Sequence, residues 1–567
     1  MMVLQFPAGG TVVSKRIATS LLLVLAMSAF GARLAVSAED DATDAAMAGI
    51  HAEAIRADMR FLSDDSLEGR GTATRGHQIA AKFMATRFER LGLQPAGDHG
   101  TYFQSVPLRK MLLDAPHTSL ALVRAGHPET LRLGSDFVAE PDPMRAVTSV
   151  EAPMVYVGFG VTAPEQHYDD YKGIDAKGKI VALAYGAPNF DSTIKAHYSS
   201  FEIKEQNAVS HGAVGMIVLD DPILERMYPF TKIARDMPAP HFAWMDKSGR
   251  PAHYFPELRG RAFVSLATVK RLLQGSGHTA DEVFAAIKAG KTASFALPVG
   301  AKINFATRLE DVQSPNVVAK LEGSDPELKS EYVVYTAHLD HLGIGAPVKG
   351  DKIYNGALDN ASGSATILSL ARAFSSMATR PRRSILFVSV TGEEAGLLGS
   401  DYFATYPTVP KSSLIADINI DEVLMLWPLH DVIAFGAEHS SLGPVIKRAA
   451  ERLHLAESPD PMPQEVVFIR SDQYSFVKQG IPAVMPSPGF TTGSPDLDAA
   501  KIFGKWEEER YHEPQDDIDQ PGLDFDAAAQ FARFAFLTGI YVADDAQRPT
   551  WNKGDFFGER YAGKTAQ

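Results

Sequence analysis

Three strongly apolar runs between residues 331 and 421 alternate with a helical pattern and determine the predicted architecture. The runs read EYVVYTAH, RRSILFVSV and SLIADIN, and such Val- and Ile-rich runs are typical of strands buried on both faces of a sheet. Between the first two, a Gly- and Asn-rich loop leads into the helical pattern SGSATILSLARAF. This alternation predicts an α/β fold with a mostly parallel central sheet and helices on both faces.

The rest of the chain falls into regions that differ in the spacing of their apolar residues. Residues from Ala42 to about Leu108 show helical spacing, whereas short β-like segments separated by Gly, Pro and Asp turns dominate from Leu112 to Pro298. At 567 residues the chain is longer than one ordinary domain. We therefore predict a discontinuous α/β domain (39–111 and 299–545), a β-rich inserted domain (112–298) and a polar C-terminal tail (546–567).

The N-terminal 38 residues have the layout of a secretory signal peptide. The basic pair Lys15-Arg16 precedes an apolar run, and the small residues Val36-Ser37-Ala38 form a cleavage site. A membrane anchor is the weaker alternative, because the run is shorter than the roughly 20 residues that a span needs. We expect an exported protein, periplasmic or secreted, with no membrane attachment after cleavage.

Charge and cysteine content narrow the possible functions. The formal net charge is -14, and because residues 1–38 contain three basic residues and no acidic one, the rest of the chain carries -17. Such an acidic body repels phosphate backbones and anionic lipids, so nucleic-acid and membrane-surface partners are not expected. The chain has no cysteine, which excludes disulfides, thiolate zinc sites and thiol nucleophiles. Any bound metal must be held by His, Asp and Glu.

Acidic residues and a histidine occur where the apolar runs end. The first run ends at His338, and Asp421 closely follows the third. Asp359 stands at the predicted helix start, and the pair Glu393-Glu394 follows the second run. Ligands of a parallel α/β sheet gather at the carboxyl ends of its strands, so these side chains can converge. Taken singly, each has an ordinary explanation as a surface pair, helix cap or turn residue; their shared placement favours a metal site.

The residue types suit a pair of divalent cations. Carboxylate and imidazole bind such ions, and two ions about 3.5–4 Å apart need a bridging carboxylate, for which Asp359 is the natural candidate. The proposed ligands are His338, Asp359, Glu394, Asp421 and His512.

The adjacent glutamates are expected to have different tasks. Glu393 is the candidate general base and Glu394 the metal ligand, since a strand-to-helix transition can turn one toward the ion and the other toward a bound water. Asp340 is expected to lie behind His338 and to orient its ring. His341 lacks a comparable setting and is expected to be a structural or surface residue.

At these positions the sequence resembles the co-catalytic double-zinc aminopeptidases, a family that includes secreted bacterial leucine-type aminopeptidases and relatives of glutamate carboxypeptidase. The similar motifs are AHLDHLG, GALDNASG, TGEEAGLLGS, INIDE and RYHEPQDD, in this order. The resemblance implies the same five ligands, with Asp359 bridging and Glu393 as the base. It further implies that Tyr511 stabilises an oxyanion, that Arg470 lies on the substrate side, and that residues 112–298 form a protease-associated domain.

The function implied is hydrolysis of N-terminal residues from peptides with a free N-terminus, dependent on two Zn²⁺ ions. Three alternatives stay open at this point: a carboxypeptidase or dipeptidase on the same fold, for which Arg470 would be the basic residue of the pocket; a non-enzymatic, receptor-like binding module; and a single-zinc cyclase. The complete set of five ligands favours the two-ion enzyme. The sequence leaves the preferred residue and the oligomeric state open.

Overall fold

A computed structural model describes residues 41–563 of the chain. The predicted signal peptide, residues 1–38, lies outside the described residues. Strands β7 and β8 form one short hairpin and β15 and β16 another, while the larger strands pair into two sheets that β13 joins. The strands are β1 (Gln94–Pro95), β2 (Phe103–Leu113), β3 (Ser119–Arg124), β4 (His127–Thr130), β5 (Phe137–Glu140), β6 (Val147–Tyr156), β7 (Thr162–Ala163), β8 (Tyr168–Asp169), β9 (Ile180–Ala184), β10 (Gly215–Leu219), β11 (His241–Trp244), β12 (Arg261–Val264), β13 (Phe295–Leu321), β14 (Tyr332–His338), β15 (Gly343–Val348), β16 (Asp351–Tyr354), β17 (Ser384–Val390), β18 (Leu414–Asn419), β19 (Asp431–Phe435), β20 (Ala456–Glu457) and β21 (Ala483–Pro488).

Helices cover the sheets and connect their strands. Between residues 41 and 563, no helix has both the length and the apolar content that crossing a membrane would require. The helices are α1 (41–48), α2 (Ala52–Leu62), α3 (Arg75–Arg90), α4 (Ser192–Ser199), α5 (Phe201–Ser210), α6 (Leu224–Met227), α7 (Phe230–Asp236), α8 (Leu266–Leu273), α9 (Ala280–Lys288), α10 (Ser362–Ser376), α11 (Leu398–Thr405), α12 (Leu442–Arg452), α13 (Gln473–Val477), α14 (Ala499–Glu509), α15 (Phe525–Asp544) and α16 (Phe556–Tyr561).

The first sheet has the order β11-β2-β13-β17-β14-β18-β21-β19-β20, and the short strand β1 pairs with the end of β13. Its centre is parallel, because β17, β14, β18 and β21 run in one direction, and antiparallel pairs flank it. Alternate residues of β14 face opposite cores: Val333 packs with helices α2, α3, α10 and α15, and Val334 packs with α11, α13 and α16. The predicted α/β fold with helices on both faces is confirmed.

The second sheet has the order β4-β3-β13-β6-β9-β10-β12-β5. It encloses its own apolar cores and is made largely from residues 112–298, called the intervening segment below. Strand β13 runs without interruption from this sheet into the first, pairing with β6 and then with β2. Since β2 and β13 cross the predicted domain boundaries, those boundaries stay predictions. Strand β2 also shows that the helical expectation was wrong from Phe103 onward.

A charged network joins the intervening segment to α11, a helix on one face of the first sheet. The carboxylate of Asp401 accepts hydrogen bonds from Trp244 Nε1 at 2.9 Å and His253 Nε2 at 2.7 Å, and it lies 3.1 Å from Lys478 Nζ. The other ring nitrogen of His253 lies 2.8 Å from Glu202 Oε1. Burial alone would lower the pKa of His253, but its hydrogen bonds to Asp401 and Glu202 outweigh that effect and raise the pKa to about 9.

Replacing Asp401 by Asn is expected to lower the free energy of unfolding by about 3–5 kcal/mol, because it removes the buried partner of two cations. The histidine's share of this stability is complete below an ordinary histidine pKa of about 6.5 and is lost as the pH rises through the folded value. Urea unfolding between pH 6 and 10 measures both effects. Asp191→Asn, at an exposed acid, is the control; equal stability of the two variants would contradict the network's role.

Candidate metal centre

The proposed ligands converge at the carboxyl ends of three adjacent parallel strands. His338 is the last residue of β14, whose two neighbours are β17 and β18. Glu394 follows β17, and Asp421 follows β18 by two residues. Asp359 lies in the turn 357–361 that opens α10, and His512 lies in the loop between α14 and α15. The parallel sheet thus brings together residues that are distant in sequence.

The five side chains form two groups that share Asp359. His338 Nε2 lies 3.1 Å from Asp359 Oδ1 and 3.1 Å from Asp421 Oδ1. His512 Nε2 lies 3.2 Å from Asp359 Oδ2 and 3.1 Å from Glu394 Oε2. Each oxygen of Asp359 therefore faces a different histidine, which is the arrangement that a carboxylate bridging two cations needs.

The donor set fits divalent zinc. Four tetrahedral donors at about 2.0–2.1 Å from the ion are separated from one another by about 3.3 Å, close to the nitrogen–oxygen distances within both groups. The main-chain carbonyl of Asp340 accepts a hydrogen bond from His338 Nδ1 at 3.1 Å, which leaves the Nε2 lone pair directed at two carboxylates. A cation held by these atoms would offset the repulsion among them. Among the described residues, His338, Asp359 and Glu394 offer donor atoms that all lie within 4.8 Å of one another, so the two groups are close neighbours.

Buried carboxylates and imidazoles face one another in the centre. Asp359 and Asp421 are buried, and the side chain of Glu394 is 7% exposed. Burial alone would raise the pKa of Asp359, but the imidazoles of His341 and His338 outweigh it and hold that pKa well below its ordinary value. Bound cations would stabilise these carboxylates further.

Residues 316–537 match the family model described as Peptidase family M28. This part of the chain belongs to peptidase family M28. It contains all five proposed ligands and is called the M28 segment below.

Two curated relatives align with more residues of this chain than the M28 segment contains. Transferrin receptor protein 2 of Homo sapiens is 24% identical over 356 residues, which are 55% of this chain and 40% of that protein. Aminopeptidase NAALADL1 of Rattus norvegicus is 25% identical over 330 residues, 50% of this chain and 41% of that protein. The chain thus spans about two fifths of the length of these curated relatives. A solved aminopeptidase from Aneurinibacillus sp. strain AM-1 shares the fold, with a TM-score of 0.51, 20% identity and coverage of 88% of this chain and 96% of that one.

Asp340 orients His338 through its backbone rather than its carboxylate. The carboxylate, which is fully buried, accepts hydrogen bonds from Thr72 Oγ1 at 2.8 Å and from the backbone N–H of Glu393 at 3.2 Å. The expectation that Asp340 lies behind the ring agrees with the geometry, but the acceptor is its main-chain oxygen. The carboxylate instead fixes the loop that carries Glu393 and Glu394.

Glu393 is adjacent to the proposed ligand Glu394. Within the described residues, the ion pairs of His338 and His512 involve Asp359, Asp421 and Glu394 but not Glu393. Burial raises the pKa of Glu393 well above its ordinary value, and the carboxylates of Asp421 and Asp472 add to the rise against the opposing imidazole of His338. A carboxylate with an elevated pKa is suited to accept and return a proton near neutral pH. This placement differs from that of Glu394, as expected from the sequence.

The bridging turn of the M28 segment is held by polar side chains from other elements. The carboxylate of Asp516 accepts the backbone N–H groups of Leu358 at 3.0 Å and Asp359 at 3.1 Å. Asn360 donates from its side chain to the carbonyl of Ile420 at 3.0 Å, which ties the turn to the end of β18. These hydrogen bonds fix the backbone of Asp359 without a contribution from a bound ion.

His341, which was expected to be a structural or surface residue, lies buried beside the proposed ligands. Its ring is buried, and Nδ1 lies 2.5 Å from Glu394 Oε1 and 3.8 Å from Asp359 Oδ2. The sequence offered one signal, because the second histidine of AHLDH comes three residues after the first. His341 Nδ1 therefore faces the Glu394 oxygen that does not face His512.

Arg70, in the Gly-rich loop before α3, was also missed. Polar, Gly-rich loops usually lie on the surface, but Arg70 is only 1% exposed. Its guanidinium donates to the main-chain carbonyls of Leu339 at 2.9 Å, Asn355 at 2.6 Å and Gly356 at 3.0 Å. Arg70 therefore joins the backbones of the β14 end and the β16–α10 connection.

Tyr511 and Arg470 lie at the edge of the centre. The ring of Tyr511 stacks on His512 with a centroid distance of 3.9 Å. Burial, with the carboxylates of Glu422 and Asp359, raises the pKa of Tyr511 well above its ordinary value, so the phenol stays a proton donor. The guanidinium of Arg470 lies 5.7 Å from the centroid of the Tyr228 ring, which belongs to the intervening segment.

Proposed function

We propose that this protein is a metal-dependent aminopeptidase that hydrolyses N-terminal residues from peptides, with two zinc ions at the centre formed by His338, Asp359, Glu394, Asp421 and His512. The observation that carries the proposal is the division of these ligands into two groups that share the two oxygens of Asp359. Membership of the M28 segment in a peptidase family supports it.

The metal ions would supply an acidified water and would polarise the peptide carbonyl. Glu393 accepts a proton from the attacking water and returns it to the leaving amine, which its elevated pKa and its separate position favour. The Tyr511 hydroxyl donates a hydrogen bond to the carbonyl oxygen as negative charge develops there. His338 and His512 hold their ring nitrogens toward the centre throughout.

Selectivity for a free N-terminus follows from the acidic character of the site. Glu422 directly follows the proposed ligand Asp421 and adds a further acid beside the ligands. Burial, with the carboxylates of Asp359 and Asp421, raises the pKa of Glu422 well above its ordinary value, and a nearby ammonium would favour its ionised form. A substrate ammonium would relieve the repulsion among these groups, whereas a blocked N-terminus would not.

A carboxypeptidase or dipeptidase is the second candidate, because Arg470 could bind a substrate carboxylate. Its guanidinium is shared with Glu465, which lies 3.5 Å away. Neutralisation by Glu465 weakens this alternative. A receptor-like binding module is also compatible with the similarity to transferrin receptor protein 2, although it would not need a complete ligand set.

The test is hydrolysis of aminoacyl p-nitroanilides beside N-acetylated versions of the same compounds, by zinc-loaded protein before and after chelation. The proposal expects cleavage of the free compounds only, with loss of activity after chelation. Preference for the blocked compounds would overturn the aminopeptidase assignment. Zinc binding without any hydrolysis of peptides would favour the binding module. Export of the protein, to the periplasm or beyond, is part of this proposal and is tested by fractionating cells that express the full chain.

Replacing Tyr511 by Phe is expected to lower kcat by about 10²–10³-fold with KM and zinc content nearly unchanged, because the phenol acts on charge that exists only in the transition state. The phenylalanine ring preserves the stacking on His512. Steady-state kinetics and elemental analysis measure the two effects. Tyr541→Phe, in α15, is the matched control; wild-type kcat in Tyr511→Phe would remove the hydroxyl from the mechanism.

A further inference from the structure

The loop that carries His512 is the least enclosed part of the metal centre. The side chain of His512 is 30% exposed, against 1–9% for the other four ligands. Its backbone has a φ of 56°, in the left-handed region that non-glycine residues seldom adopt. The residues around it form turns rather than a helix or strand. Contacts from outside the loop are therefore needed to fix this ligand.

Two basic residues of α7, in the intervening segment, provide such contacts. Lys232 Nζ donates to the main-chain carbonyl of Tyr511 at 2.9 Å and lies 3.2 Å from Glu513 Oε1. Arg235 Nη1 lies 3.1 Å from both carboxylate oxygens of Glu513. Since Tyr511 and Glu513 flank His512 in sequence, Lys232 holds the loop on both sides of the ligand.

Both partners in this contact are well anchored. Glu513 is buried, so its carboxylate depends on the two cations for compensation. At the start of α7, Phe230 is buried and packs on Phe263 of β12 with a centroid distance of 5.5 Å. The backbone N–H of Phe230 donates to Glu225 Oε2 at 2.9 Å. Helix α7 thus connects the second sheet rigidly to the metal-binding loop.

We propose that Lys232 and Arg235 are positioning residues of the metal centre, which act through Glu513 and the Tyr511 carbonyl to hold His512 and Tyr511 in place. The intervening segment is then a structural part of the peptidase site. This inference deepens the proposed function and rests on His512 being a metal ligand. It does not require that the protein cleave peptides.

Electrostatics alone and positioning make opposite predictions for zinc affinity. Lys232 and Arg235 are positive charges near a cation site, so their removal would strengthen zinc binding if charge repulsion were their main effect. If they position the His512 loop, their removal weakens it, because loss of residues that orient ligands typically costs about 10–100-fold in metal affinity or activity. The sign of the change separates the two explanations.

The experiment measures Zn²⁺ affinity of the full chain by competition with a chromophoric chelator, for Lys232→Met/Arg235→Met and for a control. Methionine keeps an unbranched stem while removing the charge. The control is Arg226→Met, which removes an exposed charge of the same segment that contacts the carbonyl of Pro222 instead of the loop. We expect the more weakly held zinc ion of the double variant to bind about 10–100-fold less tightly, with the control unchanged.

A conservative variant and a second readout protect the test against a folding defect. Lys232→Arg retains a cationic donor and is expected to bind zinc nearly as the wild type does, and circular dichroism should be unchanged in every variant. For a peptide-cleaving wild type, kcat of the double variant should fall more than KM rises. Unchanged or tighter zinc binding in Lys232→Met/Arg235→Met would overturn the proposal. A wild type that binds zinc but cleaves no peptide would overturn the proposed function and leave the affinity comparison valid.

Discussion

Replacing Glu393 by Gln is expected to lower kcat by about 10²–10⁴-fold while the protein keeps its metal ions, because the amide cannot accept a proton. Burial raises the pKa of Glu393 well above its ordinary value, and none of the described ion pairs joins Glu393 to a ligand histidine. Loss of a proton acceptor should therefore affect the reaction without affecting the ions.

The measurement for Glu393→Gln is steady-state hydrolysis of a free aminoacyl p-nitroanilide, with zinc content determined on the same sample. Glu508→Gln, in α14, is the control for a general loss of negative charge. Near-normal turnover by Glu393→Gln would mean that the two adjacent glutamates have exchanged roles or that neither is the base. Loss of zinc together with turnover would make Glu393 a ligand.

Replacing Asp359 by Ala is expected to abolish activity together with tight binding of both ions. Asp359 offers one oxygen to the group of His338 and the other to the group of His512, so its removal takes a donor from each. The same change leaves each group with one histidine and one carboxylate, His338 with Asp421 and His512 with Glu394, which are too few donors for a tight zinc site. No other substitution among the proposed ligands should affect both ions equally.

Elemental analysis after dialysis checks Asp359→Ala, with Asp421→Ala as the comparison at a ligand of one group and Asp519→Ala as the surface control. We expect Asp421→Ala to lose one ion more readily than the other. Retention of two tightly held ions by Asp359→Ala would contradict the bridging role. The three variants together distinguish a shared ligand from an unshared one.

Much of the centre could be predicted from the sequence because a parallel sheet places the ends of neighbouring strands side by side. His338 ends β14, whereas Glu394 and Asp421 follow β17 and β18. The apolar runs of these three adjacent strands are evident in the sequence. The helical start at Asp359 was equally evident. The pattern of apolar and polar residues was sufficient to predict each ligand that lies at the end of a strand or the start of a helix.

Residues that act across the fold could not be predicted in this way. Arg70 reaches the carbonyl of Leu339, 269 positions away, and a polar Gly-rich loop has no pattern that indicates such burial. His341 follows its strand by three residues, where a loop sets the direction of the ring. Lys232 meets Tyr511 across 279 positions, in a contact that depends on how the two sheets are arranged.

The fold shows the same limit. The sequence did not predict β13 as one strand, because its 27 residues combine alternating and continuous apolar stretches. The strand pairs with strands of both sheets. The boundary predicted at residue 298, which stays a prediction, lies within this strand. The local pattern divides these residues, and pairing with strands of both sheets makes them the single strand β13.

Zinc content and peptide hydrolysis measured in a single titration test the central claim most directly. Chelated protein is supplied with zinc in steps, and bound metal and hydrolysis of leucine p-nitroanilide are recorded at each step. The two-group geometry around Asp359 predicts saturation at two ions per chain, with full activity reached only as the second ion binds. Full activity with one ion or none would contradict it.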